Sequence, residues 1–324
     1  MSPPRLDVVG VGNAIVDVIA NVDDGFIAGH NLNKAAMTLI DEERALCLYE
    51  AMPAGIEASG GSAANTMAGL ASFGARAAYV GKVRADQLGD VFRHDLRATG
   101  VSYDVPLASE GPPTARCLIQ VTPDAQRTMN TFLGISALLG PDDVDAELVA
   151  SAKVVYCEGY LWDVEIAKEA IRRAMDVARS AGRKVALTLS DSFCVDRHRQ
   201  EWLDLIEHRV DIVFANEAEL CSLYQCPWET AVRRIAAHVE VGCLTRSAHG
   251  STIVSGERRI DVDAHPVAHV VDTTGAGDLY ASGFLYGYTN GFDLHRCAEL
   301  AGAAAAEIIG HLGARPAISL ATLL

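Results

Sequence analysis

The residues whose types and spacing best suit catalysis lie in the stretch Asp272-Thr273-Thr274-Gly275-Ala276-Gly277-Asp278. A run of small and apolar residues, 279–288, follows at once and predicts a buried helix, so the stretch lies where a loop enters a helix. The helix dipole and the free N–H groups at such an end stabilise a phosphate or a developing phosphoryl charge. Gly275 and Gly277 allow the backbone to approach a ligand closely. Asp278 then lies beside the anion, where a carboxylate can take the proton from an attacking hydroxyl.

A second glycine motif, Gly60-Gly61-Ser62-Ala63-Ala64-Asn65, lies far upstream. The small residues from 62 to 73 predict a helix with Ser62 as its cap, and Asn65 on the first turn is close enough to the glycines to share a ligand. Both motifs have a purely structural alternative. The upstream glycines could serve only close helix packing, and Asp272 or Thr273 could simply cap the downstream helix.

Asn13 and Asp17 form a third polar pair, four residues apart in a segment that predicts a strand, so both can project from one face. The alternative is an Asn in a turn and an Asp on an exposed strand face. Gly10-Val11-Gly12 is typical of the start of a dinucleotide-binding motif, but Ile15 replaces the third glycine. We therefore reject a dinucleotide-binding interpretation.

The elements that must position these residues alternate regularly between strand and helix. Strands are predicted at 77–83, 116–121, 128–132, 153–157, 185–189, 212–214 and 241–245, and helices at 42–52, 87–99, 166–181, 202–208, 217–224 and 297–309. Segments 24–32 and 37–40 are expected to be irregular with short strands. The alternation predicts an α/β fold with a parallel sheet covered on both faces. Without a repeat, low-complexity tract or linker, residues 1–324 are expected to form a single domain.

The composition excludes several classes of protein. The chain has 324 residues, with 27 basic and 42 acidic residues and a net charge of −15, which argues against nucleic-acid or anionic-membrane partners. Eight scattered cysteines form no CxxC pair and predict reduced thiols. The N-terminus shows no apolar signal segment and no run is long enough to span a bilayer, so we expect a soluble cytoplasmic protein.

The two glycine motifs together resemble a known family. The stretch 272–278 is similar to the C-terminal signature of the ribokinase family, also called the PfkB carbohydrate kinases, and Gly60 to Asn65 resembles a second signature of that family. The resemblance extends from about residue 8 to 316. It implies a ribokinase-like three-layer α/β fold with a mostly parallel central sheet. It also implies a small β lid over the substrate, contributed by roughly 14–59 and 105–137, and transfer of the γ-phosphoryl of ATP to a CH₂OH group.

The resemblance also implies roles for individual residues. Asp278 matches the catalytic base, and Gly275, Ala276 and Gly277 match the groups that surround the transferred phosphoryl. The residues that match those holding sugar or ribose hydroxyls are Asn13, Asp17, Gly61 and Asn65.

On the nucleotide side, Asn216 and Glu219 resemble the family's Asn-x-x-Glu motif, which is associated with Mg²⁺ and phosphate. Since Mg²⁺ commonly keeps its waters, Glu219 is expected to act through water. The alternative is an ordinary helix cap with an acidic first turn. Thr245 and Gly250 match a Thr-x-Gly-x-x-Gly loop that lies along ATP in relatives, but Ser247 replaces its first glycine, which leaves the geometry of this loop open.

Three features favour a nucleoside as the phosphoryl acceptor. The entry segment 12–17 resembles adenosine kinases, as does 189–193, where Phe193 matches an aromatic residue of their adenine pocket. Leu161, in the segment 159–162, adds apolar surface suited to a base. Arg127 matches an arginine that reaches the transferred phosphate from the lid in adenosine kinases. The resemblance therefore implies an adenosine kinase that uses ATP and Mg²⁺, as a monomer or homodimer, and leaves open whether a monovalent cation activates it.

Two other functions stay open. One is a ribokinase-type or fructokinase-type sugar kinase of the same fold, and the other is a non-catalytic nucleoside or sugar sensor, although Asp278 and its glycines are intact. A P-loop kinase is excluded because no GxxxxGK[ST] motif occurs. A zinc deaminase is excluded because His238-Val239-Glu240 is followed by no PCxxC motif.

Overall fold

The structure, a computed structural model, describes residues 3–124 and 126–324. Three residues lie outside the described ranges. Met1 and Ser2 belong to the N-terminal stretch that was predicted to lack a signal segment, and Ala125 belongs to the second predicted lid segment. The large sheet has eight strands in the order β13-β12-β11-β10-β9-β8-β1-β5. Their bounds are Leu6–Val11 (β1), Ala77–Val80 (β5), Ala152–Glu158 (β8), Lys184–Thr188 (β9), Ile212–Asn216 (β10), Val241–Thr245 (β11), Ser251–Ser255 (β12) and Arg258–Val262 (β13).

The six strands from β11 to β5 run parallel, while β12 and β13 add an antiparallel edge. Two apolar layers cover the sheet, as its nearly continuous buried strands require. One layer contains Ala146–Ala150 (α5), Glu165–Ser180 (α6), Ser192–His208 (α7), Glu217–Tyr224 (α8) and Trp228–Ala236 (α9). The other contains Ser62–Phe73 (α3), Gln87–Ala98 (α4), Ala276–Thr289 (α10) and Leu294–Ile308 (α11). The predicted three-layer α/β fold with a mostly parallel sheet is confirmed.

A second sheet of five strands lies beside the first, in the order β3-β7-β6-β2-β4. Its strands are Ile15–Asn21 (β2), Met37–Leu39 (β3), Ile56–Gly60 (β4), Ala115–Val121 (β6) and Arg127–Phe132 (β7), and we call it the small sheet. Helices Asp24–Gly29 (α1) and Glu42–Ala51 (α2) belong to the same part of the chain.

The register of the small sheet divides its side chains between two faces. Val16, Val18 and Leu118 on one face join the apolar layer that contains α3 and α4. Paired residues on neighbouring strands share a face, so Asp17, which pairs with Cys117, and Arg127, which pairs with Val121, both project from the opposite face. Asp17 and Arg127 are therefore presented by one surface of this sheet.

Several local predictions need correction. Residues 24–32 contain helix α1, because the Asp23 carboxylate caps it by accepting from the Phe26 N–H. The helix predicted at 202–208 begins at Ser192, with a kink at His198. Strand β4, helix α9 and the β12–β13 hairpin were not predicted.

Candidate active site

The site is built where parallel strands end and two helices begin. Strands β1, β8, β10 and β11 all end at the same edge of the large sheet, the position at which open α/β sheets bind ligands. Helix α10 begins there after Gly275, which has a φ of 79° in the left-handed region and no capping side chain. The cap is thus neither Asp272 nor Thr273, and the structural alternative for these two residues is wrong.

Asp278 is held by both polar residues of the first turn of α3. The Ser62 hydroxyl donates to Asp278 Oδ1 at 2.6 Å, and the Asn65 amide donates to Oδ2 at 3.0 Å. Burial raises the pKa of Asp278, while these two hydrogen bonds and the positive charge of Arg315 oppose the rise. Ser62 was expected to cap α3, but the cap residue is Gly61, and the hydroxyl serves the carboxylate instead. The arrangement holds an acceptor-only group in one orientation at the end of a helix.

Two features beside Asp278 are suited to a ligand. Among the described residues, the N–H groups of Gly277 and Asp278 have no hydrogen-bond acceptor, so they are free to bind an anion at the N-terminus of α10. Asn65 is 5% exposed, and within the described part of the chain its Oδ1 has no partner. A buried acceptor without a partner is costly, so a hydroxyl bound beside Asp278 would satisfy it.

The backbone before α3 requires a glycine at position 61. Gly61 has a φ of 95°, and a Cβ on this residue would lie 2.2 Å from the carbonyl oxygen of Asn13. Any side chain there would force the start of α3 away from the segment that joins β1 to β2. Gly61 therefore fixes the distance between Asn13 and the turn that holds Asp278.

Glu158, at the end of β8, is a functional candidate that the sequence reasoning missed. It is 1% exposed, its Oε1 accepts from Asn13 Nδ2 at 2.9 Å, and its Oε2 accepts from the Ala63 N–H at 2.9 Å. Burial raises its pKa to about 7 although both hydrogen bonds oppose the rise. Asn13 also accepts from the Ser136 hydroxyl at 3.0 Å, so its side chain is already bonded within the protein. Its predicted contact with substrate stays a prediction.

Asp17, on β2 of the small sheet, lies among the charged groups around Asp278. Burial raises its pKa to about 6, Arg315 and Arg127 oppose the rise, and Asp278 adds to it. Arg127 forms an ion pair with Asp272 and donates to Thr274 Oγ1 at 2.9 Å. The structure thus brings the predicted Arg127 to the loop that precedes α10, and it brings Asp17 within electrostatic range of Arg127 and Asp278.

The nucleotide-side residues are placed differently. Asn216 caps α8, and its side chain and backbone N–H bond Glu219, whose side chain is buried and whose pKa burial raises to about 7. Thr245 pairs with Asn216 across β10 and β11. The loop to β12 closes with Ser247 at a φ of 48° and Gly250 at 75°. Ser247 therefore adopts the left-handed conformation that a glycine would adopt without strain.

The two apolar residues assigned to a base pocket differ in exposure. Phe193 is 73% exposed at the start of α7. Leu161 is 2% exposed and belongs to the apolar layer that covers the α6–α9 face of the large sheet. This packing explains Leu161 without a ligand, and its contact with a base stays a prediction.

The described residues contain no group of three or more His, Cys, Asp and Glu that could hold a metal ion. All eight cysteines are free. Within residues 3–124 and 126–324, every helix is too short or too polar to cross a membrane.

Comparison with known proteins agrees with this geometry. A model of the pfkB family carbohydrate kinases matches residues 48–320. The crystal structure of a probable sugar kinase from Rhizobium etli CFN 42 shares 53% identity, covers 99% of this chain and 98% of its own, and gives a TM-score of 0.91. An adenosine kinase structure from Sinorhizobium meliloti shares 51% identity over 98% of both chains, also with a TM-score of 0.91.

More distant relatives include both sugar and nucleoside kinases. An ATP-dependent ribose-1-phosphate kinase of Halopiger xanaduensis is 30% identical over 81% of this chain and 83% of its own length. An adenosine kinase of Saccharomyces cerevisiae is 25% identical over 94% of this chain and 95% of its own. The chain belongs to the PfkB family of carbohydrate kinases, which phosphorylate sugars or nucleosides with ATP.

Proposed function

We propose that this kinase transfers the γ-phosphoryl of ATP to the 5′-hydroxymethyl group of adenosine. The observation that carries the proposal is the position of Asp278, a partly buried carboxylate fixed by Ser62 and Asn65 beside free N–H groups at the start of α10. A base and an anion site next to one another are what transfer to a hydroxyl needs.

The acceptor hydroxyl would lie between Asn65 and Asp278. Asn65 Oδ1, which has no partner among the described residues, would accept a hydrogen bond from the sugar, and Asp278 would take the 5′ proton as the oxygen attacks phosphorus. Asp17, Gly61 and Asn13 complete the proposed sugar site. The raised pKa of Asp278 makes the carboxylate a better proton acceptor than an exposed one.

The transferred phosphoryl group would lie at the start of α10, beside Gly275, Ala276 and Gly277, where the N–H groups of Gly277 and Asp278 are free to bind it. Arg127, which contacts Asp272 and Thr274 from the small sheet, would add positive charge there if the small sheet acts as a lid. Asn216, Thr245 and Gly250 would line the remainder of the nucleotide site.

Magnesium would neutralise charge on the ATP phosphates. Both oxygens of Glu219 accept hydrogen bonds from Asn216, so the side chain fits a role through bound water better than direct coordination. We include Mg²⁺ in the proposal and retain a requirement for a monovalent cation as a prediction. Purine salvage is the role that adenosine as the acceptor would imply, and we include it in the proposal together with a cytoplasmic location and a monomer or homodimer.

Adenosine is favoured over a free sugar by the 51% identical adenosine kinase of S. meliloti and by Phe193, whose exposed ring is available to a base. A sugar kinase is the second candidate, because the 53% identical protein of R. etli is described as one. The nucleobase distinguishes the two classes of acceptor, since only a nucleoside presents an aromatic ring to this edge of the sheet.

The test offers Mg-ATP with adenosine, inosine, ribose or fructose and follows ADP release. We expect kcat/KM for adenosine to exceed that for either free sugar by at least about a hundredfold, about 3 kcal/mol of discrimination. Phe193→Ala should reduce the preference by raising the KM for adenosine, and Phe292→Ala, at an exposed ring in the turn between α10 and α11, is the control. Turnover with sugars alone would overturn adenosine as the acceptor.

A further inference from the structure

Arg315 brings the C-terminal segment of the chain into the acceptor site. It lies beyond α11, and its guanidinium reaches back about 250 residues to the start of α3. Nη1 donates to the Ala64 carbonyl at 2.8 Å, and Nη2 donates to both the Ser59 carbonyl and the Ser59 hydroxyl at 2.8 Å. One side chain therefore binds the backbone on both sides of Gly60-Gly61.

These contacts surround the parts of the site that must stay aligned. Ser59 belongs to β4 of the small sheet, whereas Ala64 lies on the first turn of α3 between Ser62 and Asn65, the two donors to Asp278. Glycines leave the backbone freer than any other residue, so the joint between sheet and helix needs a separate restraint. The Arg315 fork supplies it by fixing the distance between the two carbonyl groups.

The charge of Arg315 is as unusual as its contacts. Its three hydrogen bonds go to uncharged oxygens, no carboxylate of the described residues lies within ion-pair distance, and its buried Nε has no partner among them. Burial lowers the pKa of Arg315, while Asp95, Asp17 and Asp278 oppose the change at longer range. The guanidinium is therefore a cation that is balanced only at longer range. The largest balancing charge is that of Asp95 on α4, whose carboxylate also accepts from Ser59, and Asp17 and Asp278 of the acceptor site add to it.

The inference rests on the proposed function of Asp278 as the base. We propose that Arg315 is a positioning residue for phosphoryl transfer, which holds the Ser59–Asn65 turn in place and keeps Asp278 ionised through its charge. Other groups also lie close enough to Asp278 to affect its pKa, and their titration contributes to the pH dependence of the enzyme. They are Ser62 and Asn65 of α3, Asp17 of β2, Glu158 and Tyr156 of β8, Tyr79 of β5, and Tyr160 after β8.

Two substitutions of Arg315 separate its charge from its hydrogen bonds. Lysine retains a positive charge but is a single point of donation, so it cannot bind two carbonyl groups as a planar fork does. Glutamine removes the charge and retains some hydrogen bonding. The proposal therefore predicts different defects in Arg315→Lys and Arg315→Gln.

The experiment measures kcat and KM for the acceptor from pH 5 to 9 at saturating ATP. Loss of the positive charge makes Asp278 harder to ionise, so in R315Q the acid limb of kcat/KM should move to higher pH by about one unit. In R315K the limb should stay within about 0.3 units of the wild type, while the KM for the acceptor rises about fivefold because the turn is less restrained. The control is Arg199→Gln, which removes a side-chain bond to the Ser222 carbonyl far from the site.

Asp278→Asn, run in parallel, separates the two claims. If this variant retains the wild-type acid limb, Asp278 is not the titrating base and the proposed mechanism fails. If it loses the limb but R315Q leaves the limb in place, only the inference on Arg315 fails. Arg315→Met, which keeps the apolar stem, replaces R315Q if that variant does not fold. Loss of folding in both neutral variants would make Arg315 a purely structural residue and overturn the proposal.

Discussion

The acceptor side and the nucleotide side of the site are held together in different ways. On the acceptor side, bonded partners are far apart in sequence, with separations of 216 positions for Ser62 and Asp278 and 145 positions for Asn13 and Glu158. On the nucleotide side, the equivalent bonds are local. Asn216 and Glu219 are three residues apart and satisfy each other within one helix turn.

This difference shows where the fold itself prepares the chemistry. The acceptor side forms only when α3, β8 and α10 are packed together, and its polar atoms are buried, so removal of one leaves a buried partner unsatisfied. The nucleotide side consists of a helix cap and a hairpin loop whose hydrogen bonds join residues close together in the sequence. We therefore expect substitutions on the acceptor side to cost more in stability and in turnover than matched substitutions on the nucleotide side.

The largest difference is expected between two buried glutamates. In Glu158→Gln, the new amide NH₂ faces either Asn13 Nδ2 or the Ala63 N–H, which are both donors. One buried donor therefore loses its acceptor, and we expect a loss of about 1–3 kcal/mol of unfolding free energy. The KM for the acceptor should rise by about tenfold because Asn13 and α3 lose their link. Glu219→Gln should raise the KM for ATP and leave the KM for the acceptor nearly unchanged. Equal effects of both substitutions on the acceptor would contradict the comparison.

The same variant makes a prediction about pH. The pKa of Glu158 is raised in the folded protein from 4.5 to about 7, so folding favours its protonated form. Its contribution is fully present below pH 4.5 and is lost as the pH rises through 7, and the total is about 3 kcal/mol. The stability advantage of the wild type over Glu158→Gln should therefore fall by about 2–3 kcal/mol from pH 5 to pH 8, which is enough to cancel or reverse it. Urea unfolding at several pH values measures this, and a constant difference would contradict the burial of an ionisable Glu158.

The smallest effect is expected in the nucleotide loop. Ser247→Gly removes a left-handed non-glycine residue, which relieves about 1 kcal/mol of strain and costs about half of that in unfolded-chain entropy. The midpoint of thermal unfolding should rise slightly. Ser180→Gly on the exposed face of α6 is the control and should destabilise the protein, because its backbone is helical. A lower midpoint for Ser247→Gly would show that the serine side chain stabilises this loop.

Sequence reasoning succeeded where the determinants are local. The glycine motifs predicted that Asn65 and Asp278 share a site, and the structure brings the two into contact, although their roles stay predictions. Alternation of apolar segments predicted most strands and helices to within one or two residues. The β12–β13 hairpin had a signal that was not used, since Gly256 and Glu257 form a two-residue turn between alternating strands.

The partners across the site could not be found in this way. Glu158 ends a strand whose preceding four residues are apolar or aromatic, at the ligand-binding edge of the sheet. A carboxylate in that position was a signal for a site residue. Arg315 had no comparable signal, because its partners are backbone carbonyl groups about 250 residues away. The role of Ser62 was also missed, since a serine before a helix is more often a cap.

The most direct test of Asp278 as the catalytic base is the turnover of Asp278→Asn, measured together with binding of ATP and adenosine by calorimetry. Asparagine retains the shape but cannot take a proton, so kcat should fall by about a thousandfold or more while both binding constants change by less than about threefold. Asp293→Asn, which alters the cap of α11, is the control and should behave as the wild type. A kcat within tenfold of the wild type would contradict Asp278 as the base.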